Sequence, residues 1–273
     1  MSVDVLIPTR GRPYALAVTL ASLIGQTYRG FRVIVSDQTE DRDTLRALEV
    51  LAVVRVLRVR GHEVELHRHV PPRGLAEHRQ SLLDRVRAPY CLFLDDDVIL
   101  APDVLERLHA TIVDEGCGLV ACGLIGLSYE DDVRPQHQGF EAWEGPVEPE
   151  LVTPATDAWW RHRLHSAANL LHAQRRLDLD PGESLRYRLA WAGGCALFDT
   201  AALRDVGGFS FWRELPPVHA GEDVLAQLRV MAAHGGCGIM PSGAYHQELP
   251  TTVTDRRVDA PQVLPVVPEP ANG

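Results

Sequence analysis

Three consecutive carboxylates, Asp95-Asp96-Asp97, end the apolar run Tyr90 to Leu94. Two full charges about 5 Å apart repel by roughly 3 kcal/mol at an effective dielectric of about 20. Three together at the end of a strand therefore call for a compensating cation. Alternation along a strand places Asp95 and Asp97 on the same side. Oxygen ligands of this kind suit Mg2+ or Mn2+, ions that commonly share their shell with a substrate's phosphates. The chemistry suggested is a divalent cation held against a diphosphate.

The elements that must position this cluster alternate in type. Val3 to Ile7 reads as a buried strand that stops at Pro8-Thr9-Arg10-Gly11-Arg12-Pro13. A helix follows, with Pro13 near its first position and Leu16, Leu20, Leu23 and Ile24 as its apolar stripe. Phe31 to Val35 is a second strand, ending at Ser36-Asp37-Gln38-Thr39. The pattern then predicts a charged helix from Asp43 to Leu51, a third strand from Val54 to Val59 and a helix from Leu75 to Val86. After the Tyr90 strand come a helix from Pro102 to Glu115 and a strand-like stretch from Leu119 to Leu124. Periodicity fades from Ser128 to Asp157, where a long loop with short strands is expected. Thr156 to Leu177 reads as helix, the residues after Gly194 as strand, and Leu225 to Ala233 as helix. The Pro-rich stretch from Asp259 to Gly273 reads as an extended or flexible tail. Strands alternating with helices predict an α/β, Rossmann-like, doubly wound and mostly parallel sheet. Ligands of such sheets bind outside the carboxyl ends of the strands. Thr9, Arg10, Asp37 and Asp95 to Asp97 all fall at such ends.

A chain of 273 residues with 45% apolar content can bury a core without disulfides or structural zinc. A net charge of −10 argues against a nucleic-acid binder, which would show a basic face. All 27 basic residues other than His are Arg, which reads as a composition bias. The five cysteines are odd in number and form no CxxC pair, so buried free thiols and a reducing, cytoplasmic setting are expected. No basic leader opens the chain and no apolar stretch reaches the roughly 18 residues of a membrane span. Peripheral membrane contact stays open, with Trp159 to Arg163 and Arg175-Arg176 as the basic segment that could supply it.

These residues together resemble the family 2 glycosyltransferases, which have the GT-A fold. Val5 to Arg12 looks like the family's first strand and nucleotide-base loop, with Pro8, Thr9 and Arg10 toward the nucleotide. Val33-Ile34-Val35-Ser36-Asp37 resembles the second strand, whose Asp reads the base. Here Ser36 replaces a first Asp, and Gln38-Thr39 replaces Gly-Ser. Gly74 to Arg79 resembles the segment whose Arg lies near the nucleotide. Asp95-Asp96-Asp97 matches the DxD element, by which Asp95 faces the ribose and Asp97 ligates the metal. Trp191-Ala192-Gly193-Gly194 looks like the loop before the acceptor site, Val206 to Phe209 like the GGF turn, and Gly221-Glu222-Asp223 like the ED element, whose Asp is the base. His246 falls where some GT-A enzymes place a further metal or diphosphate ligand. DxD alone is a weak pattern; DxD, GGF and ED in this order and spacing make a strong one.

The resemblance implies a Mn2+- or Mg2+-dependent enzyme moving a sugar from a UDP-, GDP- or dTDP-sugar to an acceptor hydroxyl, by direct displacement with inversion. Residues 1–125 would form the nucleotide-sugar-binding half and 126–250 the acceptor-binding and catalytic half of one GT-A domain. Asp223 would accept the acceptor's proton, and Glu222 would orient acceptor or sugar. Trp191 can stack on a sugar or fill the core. Arg10 and Arg79 can hold phosphate or base edges, and the sequence does not choose between Arg10 and Arg12. The QxxRW element and membrane helices of processive synthases are absent from this sequence. Two other readings remain open. A sugar-phosphate nucleotidyltransferase shares a similar sheet but usually carries a Gly-rich, Lys-bearing first loop. A non-catalytic nucleotide-sugar-binding protein would not need the intact Asp95, Asp97 and Asp223.

Overall fold

The structure, a computed structural model, describes residues 2–41, 43–180 and 182–267. The first half runs β1 (Val3–Thr9), α1 (Pro13–Ile24), β2 (Phe31–Asp37), α2 (Leu48–Val59), β3 (Val64–Arg68), α3 (Leu75–Leu83), β4 (Tyr90–Leu94), β5 (Val98–Leu100) and α4 (Val104–Glu115). The second half runs β6 (Leu119–Ala121), α5 (Asn169–Gln174), β7 (Leu185–Tyr187), β8 (Cys195–Asp199), α6 (Thr200–Asp205), α7 (Glu222–His234), β9 (Gly236–Met240), β10 (Ala244–His246) and α8 (Ala260–Val263).

One large sheet has the order β3-β2-β1-β4-β8-β6-β9-β7, and β10 pairs separately with β5. β3, β2, β1 and β4 are mutually parallel. β8 runs antiparallel between β4 and β6. Both faces are covered, so β1 and β2 are buried along their whole length. Leu6, Ile34 and Phe93 pack on one face, Val5, Ile7, Val33 and Val35 on the other. The chain leaves β1 toward β2 and β3, then crosses back to place β4 on β1's other side. That reversal opens a crevice between the carboxyl ends of β1 and β4.

Two elements differ from the sequence pattern. Residues 54–59, expected as a third strand, belong to α2, and the third strand is β3. Val50, Val54 and Leu57 are the buried stripe of α2 at helical spacing, and Arg55 and Arg58 interrupt the run. The three valines of 54–59 mimic a strand, but tertiary packing outweighs their modest β preference. β3 shows apolar Val64 and Leu66 in alternation and pairs in register with β2, Val33 opposite Val64. The helix expected over 156–177 is a 3-10 run from Asp157 to His165 followed by α5, with Ala167 between them at φ 53°. The stretch expected as a flexible tail is docked over 259–267: Ala260 and Val266 are buried, and Arg229 donates to the Pro265 carbonyl at 3.0 Å. Residues 268–273 of that tail lie outside the described residues. Among the described residues, no helix is long and apolar enough to cross a membrane, and all five cysteines are free and buried.

At the other end of the sheet a buried ion pair fixes the register of β1 and β2. Arg32 grips Asp4 with two parallel bonds, Nε to Oδ1 at 2.9 Å and Nη2 to Oδ2 at 2.6 Å. The backbone N–H groups of Arg87 and Ala88 also donate to Asp4. Burial works to raise the Asp4 pKa, but the Arg32 bond and these amides outweigh it and hold it below the usual 3.8. The stability this supplies is present above about pH 4 and is lost as pH falls through the lower folded value. Removing one partner of a buried pair strands the other charge. Arg32→Ala is expected to lose about 3–5 kcal/mol of unfolding free energy, read by urea denaturation at pH 7.

Candidate active site

The crevice is a cleft of about 820 Å3. Pro8, Thr9, Arg10 and Arg12 line it from the end of β1, and Arg79 from α3. Asp95, Asp96 and Asp97 reach it from the turn after β4, Trp191 from the loop before β8, Glu222 and Asp223 from the start of α7, and His246 from β10. Asp37, Gly193 and Gly194 do not line it.

The three aspartates do not follow strand alternation, because β4 ends at Leu94 and they form the turn into β5. The carboxylates therefore turn to several partners, and Arg12 Nη1 reaches both Asp96, at 3.4 Å, and Asp97. Asp95 Oδ1 accepts from Arg79 Nη2 at 3.0 Å. Asp96 Oδ2 accepts from the Thr9 hydroxyl. Asp97 Oδ2 accepts from Arg12 Nη1 at 2.8 Å and lies 3.4 Å from His246 Nε2. β5 explains this last pairing: it runs antiparallel to β10 with Val98 opposite His246, and the Gln247 N–H donates to the Asp97 carbonyl at 2.8 Å. Sequence places Asp97 and His246 nearly 150 residues apart; the small sheet brings them together.

Burial and neighbours tune these groups unequally. Burial pushes the Asp96 pKa up to about 7, against the Thr9 hydrogen bond. Burial opposes ionisation of Asp97 too, but the bond from His246 and its charge, with Arg12, hold Asp97 below the usual value. His246 rises in turn, chiefly through its bond to Asp97. The Glu248 N–H donates to His246 Nδ1 at 3.1 Å, which leaves the proton on Nε2, toward Asp97. Arg79 is buried between two acids, with Nε 2.9 Å from Glu222 Oε1 and Nη2 on Asp95. Desolvation works to lower its pKa, yet Asp95 and Glu222 outweigh that and raise it. Asp223 stands beside this pair: burial, then the charge of Glu222, pushes it up to about 7, and Arg79 restrains the rise.

The structure gives several of the expected site residues close partners. Arg79 lines the cleft with its guanidinium bonded to Glu222 and Asp95. Glu222 lines the cleft but is 2% exposed, and its Oε1 accepts from Arg79 Nε at 2.9 Å. Asp37 is fully buried; its carboxylate accepts from the Thr39 and Thr44 backbone N–H groups at 2.9 and 3.2 Å. Gly194 supports the donor side: its carbonyl accepts from the Asp95 N–H at 2.9 Å. Arg12, which the sequence leaves level with Arg10, is the arginine among the acids. Arg10 sits at the surface with a side chain 56% exposed, facing Glu40. His219 went unread; its Nε2 accepts from the Ala76 N–H at 3.1 Å and ties the loop before α7 to α3.

Asp97 and, once Nε2 gives up its proton, His246 would offer a carboxylate and an imidazole, donors that Mn2+ accepts. Among the described residues no group of three or more His, Cys, Asp or Glu converges as a metal cluster. Ions of this class commonly take one or two carboxylates and complete their shell with substrate phosphates and water. The donor set fits such an ion.

This architecture is the GT-A fold. Residues 4–182 match the family described as Glycosyl transferase family 2, and the chain belongs to that family. Solved structures share the fold at low identity. S. aureus TarS 1-349 in complex with UDP-GlcNAc superposes with a TM-score of 0.58 at 16% identity, covering 93% of this chain and 60% of that one. The mannosyltransferase PcManGT from Pyrobaculum calidifontis, in complex with GDP-Man and Mn2+, gives 0.55 at 16%, covering 92% and 58%. GalNAc-T7 with UDP, GalNAc and Mn2+ gives 0.56 at 14%, covering 96% and 46%. The chain thus spans 60% or less of the length of these structures. No curated protein matches the sequence significantly.

Gly194 has φ +71°, and an added Cβ would stand 2.5 Å from Leu124 Cδ1 and 3.2 Å from Asp95 Oδ2. Gly194→Ala is expected to lose about 1–3 kcal/mol of stability from backbone strain alone, measured by urea denaturation.

Proposed function

We propose that this chain transfers a sugar from a nucleoside-diphosphate sugar to an acceptor hydroxyl, with inversion, assisted by Mn2+ or Mg2+. The observation that carries the reading is the convergence, in one cleft at the switch point of the sheet, of the Asp97–His246 pair and the carboxyl group of Asp223. The relatives in fold support the donor class, since TarS 1-349 is complexed with UDP-GlcNAc and PcManGT with GDP-Man and Mn2+. Which sugar and which acceptor are not specified by these features.

In the reaction, the acceptor oxygen bonds to the anomeric carbon as that carbon's bond to the diphosphate oxygen breaks. The electron pair of the broken bond leaves with the nucleoside diphosphate. The acceptor's proton passes to the Asp223 carboxylate. A single displacement of this kind inverts the anomeric centre. Asp223 sits in the first turn of α7, where the helix N-terminus favours its anionic form, while burial favours its neutral form. A base poised near neutrality is effective because it is both available and strong enough to take a proton. Arg12 brings positive charge to the diphosphate side, held by Asp97 and by the Pro250 carbonyl. A divalent cation bound by Asp97 and His246 would supply Lewis-acid neutralisation of the leaving phosphate. Glu222 and Arg79 keep Asp95 and α7 in register and take no proton.

The test is hydrolysis or transfer with Mn2+ and a panel of UDP-, GDP- and dTDP-sugars, detected by mass. Turnover of at least one donor is expected; no turnover, with no nucleotide-linked rise in Tm, defeats the reading. Asp97→Ala is expected to remove the Mn2+-linked rise in Tm and leave the metal-free Tm within a few degrees. The base form of Asp223 exists above about pH 7, so kcat/KM should fall about tenfold per unit as pH drops below that value. Asp223→Asn should lower kcat by about 10²–10⁴-fold and remove this acid limb.

A further inference from the structure

Thr19 stands halfway along α1, is fully buried and does not line the cleft. A threonine inside a helix can return its hydroxyl to a carbonyl one turn back. Thr19 sends it to the neighbouring chain instead. Its Oγ1 donates to the Asp96 carbonyl at 2.8 Å and accepts from the Val98 N–H at 3.0 Å and from Gln247 Nε2 at 3.2 Å. A hydroxyl has one donor and two acceptor sites, and all are taken. The first two partners flank Asp97 in sequence. Gln247 follows His246, and its backbone N–H donates to the Asp97 carbonyl at 2.8 Å. One hydroxyl thus joins the turn that carries Asp97 to the end of the strand that carries His246.

We propose that Thr19 is a positioning residue: through Asp96, Val98 and Gln247 it keeps Asp97 and His246 placed so that one divalent cation can meet both. The inference rests on the metal-assisted reading above and adds a residue that touches neither cation nor substrate. β5 and β10 have three residues each and form a two-stranded sheet of their own. A ribbon that short is marginal by itself. α1 is anchored in the core by Leu16, Leu20 and Leu23, so the hydroxyl ties both segments to a fixed element. Groups that orient a metal's ligands govern affinity without touching the metal. Valine has the shape of threonine and no hydroxyl; it leaves the Val98 N–H and the Gln247 amide without this shared acceptor. Serine keeps the hydroxyl and loses a methyl.

The experiment is isothermal titration of Mn2+ into the wild-type chain, Thr19→Val, Thr19→Ser and Gln247→Met, with UDP, GDP or dTDP present in turn, and urea denaturation of each metal-free protein. Thr19→Val is expected to weaken Mn2+ binding by about tenfold or more while keeping a cooperative urea transition. Thr19→Ser is expected to bind Mn2+ as the wild type does, although the missing methyl lowers its stability. Gln247→Met removes the amide that ties the end of β10 to the hydroxyl. It should weaken binding in the same direction, which keeps the test open if Thr19→Val fails to fold. The inference is overturned if folded Thr19→Val or folded Gln247→Met binds Mn2+ as tightly as the wild type. It is also overturned if Thr19→Ser loses as much affinity as Thr19→Val, since affinity would then follow packing and not the hydroxyl. If the wild type takes up no Mn2+ with any of these nucleotides, the metal-assisted reading itself falls, and the role of Thr19 with it.

Discussion

One guanidinium holds the two halves of the cleft in register. Arg79, buried on α3, bonds Asp95 after β4 and Glu222 at the start of α7. Without it, Asp95, Glu222 and Asp223 would place uncompensated negative charge in a partly desolvated space, a cost that burial multiplies. Arg is suited to the position because its planar fork can address two carboxylates at once and stays charged when buried. The ring of Phe93 lies 5.6 Å from the guanidinium carbon, adding a face that tolerates the cation. The arrangement also divides the work between adjacent acids. Glu222 has Arg79 as its direct counter-ion, while burial raises the pKa of Asp223, and this difference is why Asp223 is the one proposed as proton acceptor.

The sheet and the donor side were legible in the sequence because their signals are local. Val3 to Ile7, Phe31 to Val35 and Tyr90 to Leu94 are short apolar runs ended by polar residues, and each is a strand whose carboxyl end meets the cleft or its rim. Asp97 could be singled out because a charge cluster after a strand is unusual in itself, and Asp223 because Gly221-Glu222-Asp223 resembles the family's ED element. Partners were not legible. Nothing in the residue types shows that Arg79 faces Glu222, or that Arg12 rather than Arg10 turns inward. Those choices follow from tertiary packing across separations of more than 80 residues. The same limit explains α2, where valines written in helical spacing were open to reading as a strand until β3 took the edge position beside β2.

The region from 126 to 190 resisted reading for a different reason. It lacks long periodic stretches, and its order comes from irregular pieces fastened by side chains. Arg161 is the main fastener, donating to Glu150 at 2.9 Å, to Glu141 at 2.6 Å and toward the Leu189 carbonyl. Arg188 lies over the Trp143 ring at 3.7 Å. Trp159, like Trp191, lines the cleft, although the surrounding 3-10 run has no periodic apolar face to announce it. A wall made this way can change its cleft-facing residues without disturbing the sheet, because the fastening groups and the lining groups are different side chains.

The C-terminal stretch completes the enclosure. Arg12 reaches the Pro250 carbonyl, and the Gln247 side chain donates to the Ala15 carbonyl, so residues 247–250 are tied to the start of α1. Further on, the Ala220 N–H donates to the Val258 carbonyl, joining the same stretch to the residues just before α7. Gly221 shows how close that approach is: an added Cβ would lie 2.1 Å from Asp259 Oδ1, and φ is +74°. The segment therefore spans from the donor loop to the helix that carries Asp223, and residues 251–254 line the cleft between the two anchors. Arg12 belongs to both systems, bonding Asp97 on one side and Pro250 on the other. Asp97 and the covering segment are thus joined through a single side chain, so the carboxylate after β4 and the stretch that lies over the cleft share one anchor.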